Sequence, residues 1–340
     1  MDRVGGMVRA IVVREVPSDS RPSRVATLED VSESFLGDGG TVVDVAFSGI
    51  NYKDALALTG RPGVVRQTPL VAGIDLVGTV VTSDDGRFAP GDWIVLNGAG
   101  QSENRHGGLA TRAHIDAALA IPLPRAITPA RAAALGTAGY TAALAVSRLV
   151  HEGVSPDDGP VLVTGATGGV GSIATMLLAR AGFEVAALTG RADQFRDYLT
   201  RLGATSLVDR SELSSYGKPL QSARWAGVVD AVGGAVLANA LAQTRPGGVV
   251  AACGLAGSAD LPTTVMPFIL RGVTLAGIDS VWAQPGARTR AWDLLSRDLD
   301  LDVLDSLTET VPLEGAIAAA ERLLDGQSHG RILVAINPDA

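Results

Sequence analysis

VLVTGATGGVGS, residues Val161 to Ser172, is the stretch on which the fold turns. The unbroken apolar run VLVTG leads directly into glycines, and SIATMLLARAG continues with the apolar spacing of a helix. Strand, glycine turn and helix in that order form the setting that binds a dinucleotide pyrophosphate. The turn is tight, backbone without Cβ atoms lets phosphate approach, and the helix N-terminus offers free amides and the positive end of its dipole. The G-x-G-x-x-G spacing is incomplete, because Ala166 stands ahead of Gly168 and Gly171 where a glycine belongs. Alanine serves there if the position needs no positive φ. Thr167, Gly168, Gly169 and Val170 are the expected phosphate contacts, and a glycine turn without a ligand is the other reading of the loop taken alone.

The next strand narrows the choice. Sites selective for NAD place an acidic residue about 20 residues on, where it holds the ribose diol. Here EVAALTG ends in Thr189-Gly190-Arg191, and a guanidinium at that point pairs with a dianionic 2′-phosphate that a carboxylate would repel. NADPH is the expected cofactor. Arg210, which closes the short run SLVDR, is a second candidate phosphate contact, with a solvated surface arginine as its alternative.

Outward from this core the chain changes texture. Residues 7–125 alternate short β-rich runs (MVRAIVV, TVVDVAFSGI, DLVGTVVTS, DWIVLNG, LATRAHI) with Gly, Pro and Asp, the pattern of a partly open barrel or similar β unit. From Thr128-Pro129, an N-cap followed by proline at the first helical position, the chain turns Ala-rich and helical. β-then-α units follow as far as VTLAGIDSV, which predicts a doubly wound parallel sheet with helices on both faces. Two amphipathic segments, RTRAWDLLSRDL and LEGAIAAAERLLDG, precede RILVAINP, a strand that the doubly wound pattern does not need and that is expected to return to the first domain.

The 340 residues suffice for two domains, and a 46% hydrophobic fraction with mean hydropathy +0.25 describes compact globular structure. A net charge of −8 with dispersed arginines argues against a nucleic-acid or anionic-membrane surface. The N-terminus lacks a signal-peptide core, and no window is read as 18 consecutive strongly apolar residues, so a cytoplasmic protein is expected. The single cysteine, Cys253, lies in the apolar run VVAACGLAG and reads as a buried structural thiol.

Gly73-Ile74-Asp75-Leu76-Val77-Gly78 resembles the G-x-D/E-x-x-G signature of the medium-chain dehydrogenase/reductase superfamily, and TGATGGVG resembles the loop of its zinc-free quinone oxidoreductase branch. NYKDALALTG (51–60), LTGR and MPFILRGVTLAGIDSV (266–281), in that order, resemble the NADPH-dependent acrylyl-CoA reductase family. The resemblance implies an α/β protein with a GroES-like β-rich catalytic domain over residues 1–128, completed by 285–340, and a Rossmann doubly wound domain over 129–284. The missing zinc is also visible in the residues themselves. Catalytic zinc needs Cys, His or carboxylate ligands, the only thiol sits in the nucleotide-binding half, and His106, His114, His151 and His329 show no paired spacing. Without a Lewis acid, alcohol oxidation is disfavoured, and hydride addition to a polarised double bond is the expected chemistry.

The reaction so implied is NADPH-dependent reduction of a short α,β-unsaturated acyl-CoA. An NADPH-dependent quinone or enone reductase and a non-catalytic NADPH-binding protein are the alternatives. Asn51, Tyr52, Lys53 and Asp54 form the polar cluster expected at the catalytic site; the resemblance implies that Asn51 and Tyr52 face the nicotinamide, and Tyr52 is a candidate proton donor. Related enoyl reductases carry a tyrosine further on, where this chain has Gly60-Arg61-Pro62, so the identity of the acid stays open. Gly136-Thr137-Ala138-Gly139 opens a helix and is expected to bring the Thr137 hydroxyl towards cofactor phosphate, with an N-terminal turn residue as the other reading; the resemblance adds Leu255, Ile269, Ser280 and Arg331 as cofactor contacts, and Asp75 is expected to organise backbone. The apolar run 273–281 reads as an exposed edge strand that pairs with its twin in a homodimer.

Overall fold

The computed structural model describes residues 6–17, 23–38 and 40–338, which form two compact units. The first unit takes the chain up to residue 137 and adds 280–290 and 304 onward; the second comprises 138–279 and 291–303. Relative to the division expected from the sequence, residues 129–137 and 280–284 fall with the first unit and 291–303 with the second.

The first unit is built on a seven-stranded sheet. Thr41–Ile50 is its longest strand, a β-branched and apolar run that pairs antiparallel with Asp75–Thr82, Arg112–Ile115 and the returning C-terminal strand Arg331–Ala335. Thr308–Pro312 closes one edge in parallel with Arg331–Ala335, and Trp93–Asn97 followed by Ile121–Pro122 closes the other. A smaller sheet of Ser23–Ser32, Met7–Val16 and Leu70–Val71 completes the unit. One core joins Ile11, Ile50, Leu58, Leu70, Leu109 and Val334, and a second joins Val43, Leu76, Ile94 and Leu96. The expected return of the last strand to the first domain is thus observed.

Glycines make the crossing at Asp75 possible. Gly73 has φ +103, and a Cβ there would meet the Leu109 nitrogen at 2.6 Å; a Cβ on Gly78 would meet the Asp44 carbonyl oxygen at 2.2 Å. Both contacts are with backbone that cannot move aside, so the paired glycines let neighbouring chain close over the aspartate between them.

The second unit holds a six-stranded parallel sheet in the order Ser206–Asp209, Val185–Thr189, Val161–Thr164, Trp225–Asp230, Thr244–Ala252, Thr274–Gly277. Counted along the chain this is 3-2-1-4-5-6, the doubly wound order, and its direction reverses at Val161–Thr164, where such sheets bind ligands. All four residues of that strand are buried, as a parallel strand covered on both faces requires. Leu162, Leu188, Val208, Trp225, Val228 and Val250 share its core.

Two expectations need correction. The edge strand is only Thr274–Gly277 instead of 273–281. After Ile278 donates to the Ala252 carbonyl the chain leaves the sheet, and the Val281 carbonyl accepts instead from the Ala99 N–H at 3.2 Å. The helix Pro129–His151 is long and apolar enough to cross a membrane, which the sequence reading did not anticipate. However, 72% of its apolar window is buried within the protein, and the helix breaks at Gly136 (φ +47).

Candidate active site and nucleotide-binding loop

In the first unit the polar cluster gathers around Asp75 at the head of its strand. Its carboxylate accepts four hydrogen bonds: from Asn51 Nδ2 (2.7 Å), Asn97 Nδ2 (2.7 Å), the Thr137 N–H (2.8 Å) and Thr137 Oγ1 (2.6 Å). Gly136 is required beside it, since a Cβ there would lie 2.5 Å from Asp75 Oδ2. Asn51 caps the short helix Tyr52–Leu58. Asp54, three residues on, accepts from the Asn51 N–H (2.9 Å), Asn51 Nδ2 (3.0 Å) and the Ile74 N–H (2.8 Å). Asn51 Oδ1 in turn accepts from Arg331 Nη2 at 3.2 Å, while Arg331 Nε donates to the Ala134 backbone carbonyl at 2.5 Å. One amide group therefore joins two carboxylates and a guanidinium, and its orientation follows from that.

The electrostatics follow from burial. Desolvation, with the Asp75 charge as second cause, pushes the Asp54 carboxyl up to about 7, against the N–H donors that favour its ionised form. Burial also lowers the Arg331 guanidinium from its usual value, while Asp75 and Asp54 pull the other way. Asp54 is wholly buried and acts on its surroundings through Asn51. Tyr52, by contrast, is 41% exposed at the start of the same helix, and Lys53 Nζ pairs with Glu103 Oε1 at 2.6 Å.

In the second unit the loop has the backbone that a phosphate cradle needs. Positive φ falls on Gly165 (φ +59) and not on Ala166, which explains why alanine is accepted there. Gly168 is the N-cap of the helix Gly169–Arg180, and a Cβ on Gly171 would meet the Gly165 carbonyl oxygen at 2.4 Å. Gly168 is exposed, Gly169 and Val170 are half-buried, and Thr167 is buried. Arg191 Nη2 donates to Thr167 Oγ1 at 3.1 Å, its N–H donates to Thr189 Oγ1 at 3.2 Å, and its guanidinium lies over the Phe195 ring, 4.5 Å from the centroid. The Arg210 guanidinium closes over Gly190, where a Cβ would meet it at 3.0 Å. Desolvation and then the Arg210 charge lower the Arg191 guanidinium, so these two cations gain most from a dianion between them.

The structure thus brings Asn51, Asp54, Thr137 and Arg331 into one network and Thr167, Thr189, Gly190, Arg191 and Arg210 into another. Thr137 directs its hydroxyl proton to Asp75. Ser280, in the first unit, gives its carbonyl to Arg288 Nη2 at 3.3 Å. Leu255 and Ile269, in the second, are 60% and 71% exposed and belong to neither network. Sequence reasoning missed Asn97 and Arg288, whose buried guanidinium also donates to the Asn97 and Val281 carbonyls at 2.7 and 2.6 Å. Asn97 carried a signal, a lone amide ending the apolar strand WIVLN before Gly98; Arg288 carried none.

The residues do not fit a zinc site. Among the described residues no three His, Cys, Asp or Glu side chains are grouped as ligands. Burial pushes the Cys253 thiol up to about 12, and its Sγ hydrogen-bonds the Asp230 carbonyl. His106 Nδ1 accepts from the Val71 N–H, and His114 Nδ1 is bonded to the Gly37 carbonyl.

A doubly wound sheet with a glycine turn after its first strand and an arginine after each of its second and third defines a dinucleotide-dependent oxidoreductase. Known proteins agree. Residues 37–126 match the alcohol dehydrogenase GroES-like domain, and residues 169–297 match the zinc-binding dehydrogenase family. The acrylyl-CoA reductase AcuI of Ruegeria pomeroyi is 46% identical over 332 residues, covering 97% of this chain and all of its own. The yhdH oxidoreductase of Salmonella enterica, solved in complex with NADP, is 44% identical with a TM-score of 0.92, covering 96% of this chain and 99% of its own. The putative quinone oxidoreductase YhfP of Bacillus subtilis is 43% identical over 90% of this chain and 93% of its own; its structure, with NAD bound, superposes with a TM-score of 0.91 over 97% of this chain and 99% of its own. The chain belongs to the medium-chain dehydrogenase/reductase superfamily of oxidoreductases and, within it, to the acrylyl-CoA reductase family.

Proposed function

We propose that this protein reduces the C=C bond of a short α,β-unsaturated acyl-CoA, acrylyl-CoA to propionyl-CoA, with NADPH. The similarity to the Ruegeria reductase over nearly the whole of both chains is the observation that carries the substrate. The Arg191–Arg210 pair supports the choice of NADPH. Thr167, Gly168, Gly169 and Val170 hold the pyrophosphate, and Thr189, Gly190, Arg191 and Arg210 hold the 2′-phosphate. Thr137, Leu255, Ile269, Ser280 and Arg331 complete the cofactor contacts. NADPH supplies the hydride that adds to the β-carbon.

The chain's own residues orient and protonate. Asn51, locked between Asp54, Asp75 and Arg331, sets the first turn of its helix, so Tyr52 is presented from a rigid backbone. The Tyr52 phenol delivers a proton to the α-carbon, directly or through water. Lys53, held by Glu103, faces the thioester. The reaction takes place in the cytoplasm on a small molecule, in a homodimer formed by the sheet edge Thr274–Gly277 and flanked by exposed Val265, Ile269 and Leu270. A monomer mass by light scattering at micromolar concentration would exclude that dimer.

A spectrophotometric NADPH-oxidation screen over short enoyl-CoAs and small quinones tests the reading. Turnover of acrylyl-CoA well above that of quinones is expected. The name of the Bacillus relative favours quinone or enone reduction as the second reading, and turnover of quinone alone would select it.

A further inference from the structure

The run TGRPGVVRQTP (59–69), which follows the helix Tyr52–Leu58, contains two arginines and no acid in a chain of net charge −8. Arg61 is exposed, and the Arg66 side chain is 73% exposed. Arg24 joins them from the neighbouring strand, its Nη1 donating to the Val65 carbonyl at 2.5 Å. Glu103 ties the cluster to the proposed catalytic helix: its largely buried carboxylate accepts from Lys53 Nζ at 2.6 Å and lies 3.6 Å from Arg66 Nη2, while its carbonyl accepts from the Arg66 N–H at 2.7 Å. Glu15 stands across from Arg24 in the strand pairing, yet no ion pair joins Arg24 or Arg61 to a carboxylate among the described residues. Lys53 and Arg66 therefore share the one carboxylate of Glu103, and Arg24 and Arg61 have no ion-pair partner among the described residues.

Positive charge thus brackets a helix about 10 Å long whose first residue is Tyr52. A small quinone or enone has nothing to offer these cations. A thioester carried on a long arm that ends in phosphates does, because its reactive end can lie at Tyr52 while its phosphates lie on the arginines. We propose that Arg24, Arg61 and Arg66 bind the phosphate-bearing end of the acyl-thioester substrate. This assignment rests on the enoyl-thioester reading above and extends it to the carrier: the enzyme selects substrates by their phosphates.

The test compares acrylyl-CoA with acrylyl-pantetheine, which has the same reactive end and no phosphate. In the double variant Arg61→Gln/Arg66→Gln the ratio of kcat/KM for the two thioesters should fall by about tenfold, through KM, and the same ratio in the unaltered enzyme should fall with added salt. KM for NADPH should not change. A ratio unaffected by the substitutions overturns the assignment, as does a rise in KM for NADPH of similar size, which would give the patch to the cofactor. If the unaltered enzyme reduces neither thioester, the proposed function itself fails and this assignment falls with it.

Discussion

Thr137 gives both its N–H and its hydroxyl to Asp75, at 2.8 and 2.6 Å, so one residue after the break in the long helix binds both oxygens of the aspartate. With Asn51 and Asn97 as further donors, Asp75 is the acceptor around which strand, capped helix and helix break are assembled. Asp75→Ala would remove the acceptor of Asn97 Nδ2 and of both Thr137 donors, and would leave Asp54 as the remaining countercharge of Arg331. A loss of about 3–5 kcal/mol in unfolding free energy is expected from the urea midpoint. A loss below about 1 kcal/mol would mean that the network relaxes or hydrates freely.

Asp54 makes stability depend on pH. Its folded value of about 7 lies above the ordinary carboxylate value of about 4 in an unfolded chain, so between the two the folded state binds more protons. The stability it contributes is complete below about pH 4 and is lost as pH rises through about 7. Asp54→Asn should be less stable overall, because an amide cannot accept from both Asn51 donors and Ile74, but its unfolding midpoint should fall less between about pH 5 and about pH 8. Parallel profiles for the two proteins would place the titration elsewhere.

Removing Arg191 should separate the two nicotinamide cofactors. Arg191→Ala is expected to raise KM for NADPH by about tenfold or more, with little change for NADH, as loss of a charge-assisted phosphate contact of about 1–3 kcal/mol requires. Arg210→Ala should act in the same direction. Equal effects on both cofactors would remove the 2′-phosphate role.

Tyr52→Phe deletes one hydroxyl at an exposed position. If that phenol delivers the proton, kcat should fall by about 100-fold while the dissociation constant for NADPH, read by fluorescence titration, stays within about twofold. An unchanged kcat would assign the proton to another group or to water.

The second unit was legible because its signals are local. An apolar strand, a glycine turn and a helix follow one another within VLVTGATGGVGSIATMLLARAG, and the arginine that stands where NAD-selective sites carry an acid lies two residues past the very next strand. The Asp75 network was only half legible. Asn51 and Asp54 announce themselves as a cap three residues apart, but their meeting with Asp75, Asn97 and Arg331 depends on strand pairings between distant parts of the chain. The break at Gly136 and the early end of the edge strand at Gly277 were hidden for the same reason. Apolar periodicity runs through both places, and tertiary partners decide where the regular structure stops.

The most direct test follows the hydride. With NADPH carrying deuterium at its transferable position and acrylyl-CoA as substrate, the propionyl-CoA formed should carry one deuterium on the β-carbon, and its new α-hydrogen should come from solvent. Propionyl-CoA without deuterium, deuterium on the α-carbon, or no reduction of the thioester at all would contradict the account.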